Sequence, residues 1–220
     1  MFKTELHCHS KDKSECARVS TEDIIKKYTE AGYTSLVLAN HFNQGTYNYI
    51  KAESWEDWVD KYIGAYEKLK KDAEGKLNIL LGMELRFNEN YNDYLVFGVS
   101  REFMLKYPDM FKMNPRNFHK IARENGCLFV QAHPFRNGMT VTPPDCLDGV
   151  EVFNGHKGHD SRNDIASMWA DKFGLIKTSG TDLHYSDVHS NSGIYTECEI
   201  TSMAQLVEIL KNGEYTLIMD

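Results

Sequence analysis

Short apolar runs alternate with amphipathic segments from one end of the chain to the other. The apolar runs predict eight strands, over residues 2–8, 35–39, 77–85, 94–99, 127–132, 149–153, 175–179 and 194–200. Several of these runs are too short to form a helix by themselves, which favours the strand interpretation. Strands that alternate with helical segments are typical of βαβ units, so the pattern predicts an α/β fold.

The amphipathic segments start and stop at residues that terminate helices. Predicted helices begin after Ser20, Ser54, Asn114 and Ser202, and a further helix covers residues 162–173. Serine and asparagine side chains accept hydrogen bonds from the first backbone amides of a helix, and Pro115 suits the first helical position. The aromatic residues after Ser54 keep the three- and four-residue spacing of a buried helix face, so we expect them in the core.

The number of strands and the length of the chain limit the architecture. Seven or eight strands with helical crossovers in 220 residues predict one domain, residues 1–220, built as a closed or nearly closed parallel barrel. An open, doubly wound sheet is the alternative. The barrel is favoured because polar residues collect at the C-terminal ends of the predicted strands, where such barrels carry their chemistry.

Composition narrows the classes of function. The chain has 25 Lys and Arg against 32 Asp and Glu, a formal net charge of −7, which repels polyanions, so we expect no binding of duplex nucleic acid. No apolar run approaches the roughly 18 to 20 residues that cross a membrane, and the first residues lack the layout of a signal peptide. We therefore expect no membrane contact and a cytoplasmic location. Five scattered cysteines predict reduced thiols rather than a disulfide framework.

Residue types that bind metals follow five of the predicted strands. They are His7 and His9, His41, Glu84, His133, and Asp182 with His184. Side chains alternate along a strand, so the two members of each H-x-H or D-x-H pair point the same way, and parallel strands of a barrel bring all these ends to one rim. A mixture of imidazoles and carboxylates suits Zn²⁺, Mn²⁺ or Fe. Without ions such a cluster would carry a large desolvation cost, so the pattern predicts a polynuclear metal site.

Ordered motifs over nearly the whole length resemble the polymerase and histidinol phosphatase (PHP) family. The matching segments are Leu6-His7-Cys8-His9-Ser10, Asn40-His41, Gly82-Met83-Glu84, Gln131-Ala132-His133-Pro134 and Gly180-Thr181-Asp182-Leu183-His184. The segment Gly149-Val150-Glu151-Val152-Phe153-Asn154 also resembles a strand of the family. The resemblance implies a single-domain, distorted (β/α)7 TIM-like barrel that holds two or three divalent ions.

The resemblance also implies a ligand set for those ions. It comprises His7, His9, His41, Glu84, His133, Asp182 and His184, with Glu84 bridging two ions. Family members add a ligand in the loop after the first motif, where Glu15 has the expected spacing and Asp12 is the alternative.

Two departures from the family pattern bear on the number of ions. Asn40 stands where the family often has aspartate, which weakens a supporting carboxylate there but leaves His41 in place. Trinuclear members usually add a histidine at the end of the fourth strand, whereas this chain has Gly98-Val99-Ser100. The third ion is therefore expected to be weaker, differently ligated or absent.

Two adjacent divalent ions predict hydrolysis of a phosphate ester. They can share a water, lower its pKa from about 16 towards 7 and hold a bridging hydroxide in line with phosphorus. We expect a metal-dependent phosphoesterase that acts on a small molecule such as histidinol phosphate or a nucleotide. The alternatives are a PHP-type protein-tyrosine phosphatase, an amidohydrolase-like use of the same ions, and a non-catalytic, regulatory metal-binding module.

Residues outside the ligand set are candidates for contacts with the substrate. Arg136 and Arg162 are candidate phosphate-binding residues, because a guanidinium matches the geometry of phosphate oxygens. His156, or alternatively His159, is the candidate general acid for the leaving group. Turn chemistry accounts for Asp93 without a catalytic role. The sequence predicts no oligomeric state.

Overall fold

The computed structural model describes residues 1–11, 17–185 and 191–220. The strands are β1 Phe2–Cys8, β2 Tyr33–Leu38, β3 His41–Phe42, β4 Asn78–Arg86, β5 Asp93–Phe97, β6 Leu128–Gln131, β7 Gly149–Asn154, β8 Ile176–Gly180, β9 Ser192–Thr196 and β10 Thr216–Met219. The α-helices are α1 Thr21–Glu30, α2 Gln44–Ile50, α3 Trp55–Asp72, α4 Arg101–Lys106, α5 Pro115–Glu124, α6 Asn163–Phe173 and α7 Met203–Asn212. All eight predicted strands are present, and the sequence analysis missed the short strands β3 and β10.

The strands form a nearly closed barrel. They are hydrogen-bonded in the order β10-β9-β1-β2-β4-β5-β6-β7-β8, and β3 pairs with β4 at the edge of this path. The chain closes the barrel just after β8, where Leu183 forms a parallel bridge with Cys8 at the end of β1. The architecture is a single-domain, distorted TIM-like α/β barrel, as predicted, and the open doubly wound sheet is excluded.

The prediction that the barrel is parallel throughout is wrong at β5 and β9. Strand β5 runs antiparallel to both β4 and β6, and β9 runs antiparallel to β1 and β10. The connection from β4 to β5, residues 87–92, is too short for the crossover that parallel neighbours need. The start of β5, rather than its end, therefore shares a rim with the ends of β4 and β6.

The predicted helix starts are confirmed by hydrogen bonds at the caps. The side chains of Ser20, Ser54, Asn114 and Ser202 each accept a hydrogen bond from the backbone N–H three residues later. The aromatic face of α3 lies in the core as expected, since Trp58 is fully buried and its ring centroid lies 4.1 Å from that of Phe42.

Two further expectations concern the membrane and the thiols. Within the described residues, no helix combines the length and the apolar character needed to cross a bilayer. The four cysteines in the described part of the chain, Cys8, Cys127, Cys146 and Cys198, are all free thiols, in line with the sequence analysis.

A matched pair of glycine substitutions tests how tightly β9 packs on β1. Gly193 has a φ of +117°, and an added Cβ would lie 2.2 Å from the carbonyl oxygen of Thr4. We expect Gly193→Ala to lower the free energy of unfolding by at least about 1–3 kcal/mol. Gly64 lies inside α3 with open space around it, so Gly64→Ala should raise stability by about 0.5–1 kcal/mol. Urea denaturation of both variants measures the difference, and equal midpoints would contradict it.

Candidate metal centre

All seven predicted ligands in the described residues gather at one rim of the barrel. His7 and His9 come from the end of β1, His41 from β3, Glu84 from β4, His133 from the turn after β6, and Asp182 and His184 from the segment after β8. Six of the seven are buried, and the side chain of His41 is 15% exposed. Residues far apart in the sequence therefore form one cluster of imidazoles and carboxylates.

Glu84 occupies the middle of this cluster. Its two carboxylate oxygens lie 3.2 Å from His7 Nε2, 3.5 Å from His9 Nε2, 2.5 Å from His41 Nδ1 and 3.3 Å from His133 Nε2. The close contact with His41 follows from the pairing of β3 with β4, which sets the two residues side by side. One carboxylate surrounded by four imidazoles combines the residue types that bind divalent cations.

Asp182 is the second carboxylate of the cluster, and three imidazole nitrogens lie close to it. Its Oδ1 atom lies 3.4 Å from His7 Nε2, 3.3 Å from His9 Nε2 and 3.2 Å from His184 Nδ1. The Nε2 atoms of His7 and His9 are themselves 3.1 Å apart, so these two imidazoles point to the same place, as strand alternation predicts.

The donor set fits divalent cations. Both oxygens of Glu84 and Oδ1 of Asp182 are buried, and none of them accepts a hydrogen bond from the described residues. Buried polar atoms are nearly always satisfied, so unsatisfied carboxylate oxygens facing imidazole nitrogens indicate a missing positive partner. Among the residues that the structure describes, three groups have ligand atoms close enough for a shared ion: His9, His41 and His184; His7, His9 and Glu84; and His41, Glu84 and Asp93.

The imidazoles of His7 and His9 differ in their protonation states. Burial, together with the nearby ring of His184, lowers the pKa of His9 to about 3, so its ring is neutral and offers a lone pair near pH 7. Burial also opposes protonation of His7, but the surrounding carboxylates, Asp182 first among them, raise the pKa of His7 well above its usual value. Binding of a cation at His7 would therefore release a proton.

The two carboxylates are ionised in spite of their burial. Burial opposes ionisation of Glu84, but the charges of His41 and His7 outweigh it and hold the pKa of Glu84 well below its usual range. The same balance, with His7 as the main opposing charge, lowers the pKa of Asp182. The rim therefore carries fixed negative charge available for cations.

The backbone is strained at two of the ligands. His133 has a φ of +29° and Asp182 a φ of +51°, a region that side-chain-bearing residues rarely adopt. Such strain costs about 1–3 kcal/mol per residue and is concentrated at functional sites. Since β8 ends at Gly180, this left-handed turn, rather than the expected strand alternation, aims Asp182 into the cluster.

Glu151 is a supporting residue that the sequence analysis did not select. Its Oε1 lies 2.9 Å from His7 Nδ1, and its Oε2 accepts hydrogen bonds from the backbone N–H of His133 and from Asn154 Nδ2, both at 3.0 Å. A carboxylate on the far ring nitrogen fixes the orientation of a metal-binding histidine. The signal in the sequence was an acidic residue inside a predicted buried strand.

Glu5 lies beneath the cluster and connects β1 to the segment after β8, where the barrel closes. It is fully buried, and its Oε1 accepts hydrogen bonds from the backbone N–H groups of His7 at 2.7 Å and Thr181 at 2.9 Å. Its Oε2 accepts from the Tyr28 hydroxyl at 3.2 Å. Burial raises the pKa of Glu5 to about 7. This network ties β1 to the segment that carries Asp182.

The interpretation of Asp93 as an ordinary turn residue is wrong. Asp93 begins β5, is 1% exposed, and forms a two-point ion pair with Arg86, with distances of 2.6 Å to Nε and 2.7 Å to Nη2. Arg136 Nη2 lies 3.6 Å from Asp93 Oδ2, and His133 Nε2 lies 3.9 Å from the same atom. The antiparallel course of β5 brings Asp93 to the rim, and the sequence analysis missed Arg86 with it.

The antiparallel direction of β5 also affects residues 98–100, where trinuclear family members usually have a histidine. Residues 98–100 follow the end of β5, and this end lies at the opposite side of the barrel from the ligands. Ser100 instead caps helix α4 by accepting a hydrogen bond from Phe103 N. The other departure, Asn40, holds the chain after His9, because its side chain accepts from Ser10 N and donates to Ser10 Oγ.

Two anchors hold the loop that carries Arg136. Arg162 donates from Nη1 to the carbonyl oxygen of Phe135 at 2.7 Å and from Nη2 to Asn137. Asn92 exchanges two hydrogen bonds with the backbone of Thr140, at 2.6 and 2.8 Å. The guanidinium of Arg162 is thus directed at the loop, while Arg136 faces the rim beside Asp93.

The two candidate proton donors lie against the ligands. The ring centroid of His156 is 5.5 Å from that of His184, and His159 stacks on His156 at 4.5 Å. Burial lowers the pKa of both rings, to about 4 for His159. His159 is therefore neutral near pH 7, and the shift at His156 acts in the same direction.

The two candidates for the ligand in the loop after the first motif, Glu15 and Asp12, lie outside the described residues. His119 Nε2 lies 3.1 Å from Asp148 Oδ1, a contact that joins α5 to the start of β7.

Solved structures share this barrel at low sequence identity. A two-domain protein from Bacteroides vulgatus containing a predicted PHP-like metal-dependent phosphoesterase superposes with a TM-score of 0.71 at 18% identity, over 99% of this chain and 64% of its own length. The protein PsfC from Pseudomonas syringae also has a TM-score of 0.71, at 14% identity, over 100% of this chain and 91% of its own. An amidohydrolase from Chromobacterium violaceum, solved with sulfate and no metal, has a TM-score of 0.52 at 15% identity, over 94% and 96% of the two chains.

These likenesses establish the fold. The chain has the barrel of PHP-like metal-dependent phosphoesterases, which confirms the fold expected from the motifs, and it spans 64% of the length of the Bacteroides vulgatus protein. No protein-family model matches the sequence, and the comparison with curated proteins gives no match either.

The supporting role of Glu151 predicts a loss of metal affinity. Glu151→Gln removes the charge behind His7 Nδ1, so we expect about 10- to 100-fold weaker binding of Zn²⁺ or Mn²⁺, measured by competition with a metallochromic chelator. Glu199→Gln on the surface, where the native carboxylate accepts from Asn78, is the matched control and should bind as the native protein does. Equal affinities for all three proteins would contradict this role.

Proposed function

We propose that this protein is a metal-dependent hydrolase of small phosphate esters. The observation that supports the proposal best is the position of Glu84, whose two buried oxygens accept no hydrogen bond from the described residues and face four imidazoles. Such a set is suited to holding two cations side by side. The proposed ligands are His7, His9, His41, Glu84, His133, Asp182 and His184, with Glu15 as a further ligand.

Bound ions would supply an activated water and neutralise charge on the phosphate oxygens. The residues of the chain then have distinct tasks in the proposed reaction. Arg136 binds a phosphate oxygen with its guanidinium, which is half-buried beside the cluster. Arg162 contributes to phosphate binding by fixing the loop of Arg136. His156 is the proposed proton donor to the leaving oxygen, because its ring packs against His184 at the rim.

Two features favour a phosphate ester as the substrate. Arg86 and Arg136 bring two guanidinium groups to the edge of the cluster, although the chain as a whole is acidic. In addition, the structure from Chromobacterium violaceum contains sulfate, an anion with the shape and charge of phosphate, within the same fold. We propose a small molecule such as histidinol phosphate or a nucleotide as the substrate class to screen.

A reconstitution assay tests the proposed function. Protein stripped with a chelator and reloaded with Mn²⁺, Zn²⁺ or Fe²⁺ should release phosphate from members of a panel of p-nitrophenyl phosphate, histidinol phosphate and nucleotides. His9→Ala should reduce turnover to background because it removes a member of two of the three ligand groups. His119→Gln, a histidine substitution remote from the rim, is the matched control. Phosphate release that persists in chelator, or hydrolysis of amides and lactones alone, would contradict the proposal.

Arg136→Met tests the phosphate contact separately. Loss of a charge-assisted hydrogen bond worth about 1.5–3 kcal/mol should raise the KM for a phosphate ester about 10- to 100-fold, with a smaller change in kcat. Arg116→Met removes an exposed arginine that pairs with Asp145 and should leave the KM unchanged. An unchanged KM in Arg136→Met would assign the phosphate contact to another residue.

A further inference from the structure

The three groups of possible ligands differ in the charge that already surrounds them. The carboxylates of Glu84 and Asp182 lie against imidazoles, whose ring nitrogens can themselves bind a cation. The third group contains Asp93, and this carboxylate is already held by an arginine. A guanidinium cannot deprotonate in a protein, so its positive charge is permanent.

The ion pair of Arg86 and Asp93 is fixed by the sheet. The two residues are direct partners in the antiparallel register of β4 and β5, so their side chains emerge on the same face. Both oxygens of Asp93 are engaged, Oδ1 by Arg86 Nε at 2.6 Å and Oδ2 by Arg86 Nη2 at 2.7 Å. Arg136 Nη2 adds a second positive charge 3.6 Å from Oδ2.

Arg86 is also close to the centre of the site in sequence and space. It follows Glu84 by two positions on β4, so the two side chains lie on the same side of the strand. A divalent ion between His41, Glu84 and Asp93 would have to approach two guanidinium groups and share an oxygen that already accepts hydrogen bonds. Both effects oppose binding of a cation there.

We propose that the guanidinium of Arg86 takes the place of the third cation, so that this centre holds two ions. Arg86 then acts as a built-in charge that stays in place when the other ions dissociate. Asp93 serves as the anchor of that guanidinium rather than as a metal ligand. This inference rests on the proposed function only in assuming that the cluster binds divalent metal.

The number of bound ions tests the inference without an activity measurement. Protein is equilibrated with excess Mn²⁺ or Zn²⁺, separated from unbound metal and analysed by mass spectrometry of the elements. We expect two ions per native chain, three in Arg86→Met, which releases Asp93, and two again when Asp93→Asn is added to that variant. Arg101→Met is the matched control: this exposed arginine makes the same two-point contact with Asp60, and its loss should leave two ions bound.

Three ions in the native protein would overturn the inference, and so would two ions in Arg86→Met with a native circular dichroism spectrum. If Arg86→Met does not fold, anomalous diffraction from metal-loaded crystals of the native protein provides the test. Two peaks, neither in contact with Asp93, would support the inference. A peak ligated by Asp93 would overturn it. Phosphate release is measured separately. A three-ion protein that hydrolyses phosphate esters refutes only this inference, and a two-ion protein that hydrolyses none refutes only the proposed function.

Discussion

The structure depends on one electrostatic constraint, which is that two carboxylates, Glu84 and Asp182, are ionised although they are buried. Moving an isolated carboxylate out of water carries a large free-energy cost, so positive groups have to lie within a few ångströms. Imidazole nitrogens lie within 3.5 Å of both oxygens of Glu84, and these nitrogens are themselves good metal ligands. The rim therefore combines buried negative charge with neutral ligands for cations.

The rest of the barrel holds this arrangement in place. Glu151 orients His7 from one side, and Glu5 binds the backbone at His7 and at Thr181 from below. These two acidic residues lie on different strands, β1 and β7, so the site is tied to the closure of the barrel. The strained backbone of Asp182 persists because Glu5 holds Thr181 on one side of it and the bridge between Leu183 and Cys8 holds the other side.

Positive charge is distributed unequally around the same rim. On the side of β4 and β5, guanidinium groups stand beside Asp93, whereas on the side of β1 and β8 the partners of the carboxylates are imidazoles. A neutral imidazole has a lone pair that can bind a metal, whereas a guanidinium stays protonated and has none. The permanent positive charge therefore lies beside Asp93, and the imidazoles surround Glu84 and Asp182.

Local signals in the sequence determined most of the framework. Hydrophobic runs located eight of the ten described strands, all but β3 and β10. Serine and asparagine caps located the starts of four helices. Both signals depend on neighbouring residues alone. The ligand residue types were also visible, since each follows an apolar run. These features are short-range, so they can be recognised along the chain.

The tertiary structure decided what depends on strand pairing. The direction of β5 brought Asp93 to the rim, opposite Arg86 at the end of β4, and moved Ser100 away from it. The register of β7 placed Glu151 behind His7. Hydrophobic pattern is the same for a strand read in either direction, so it carries no information on whether a neighbour is parallel or antiparallel. Which end of a strand faces the ligands is settled only when the chain closes into the barrel.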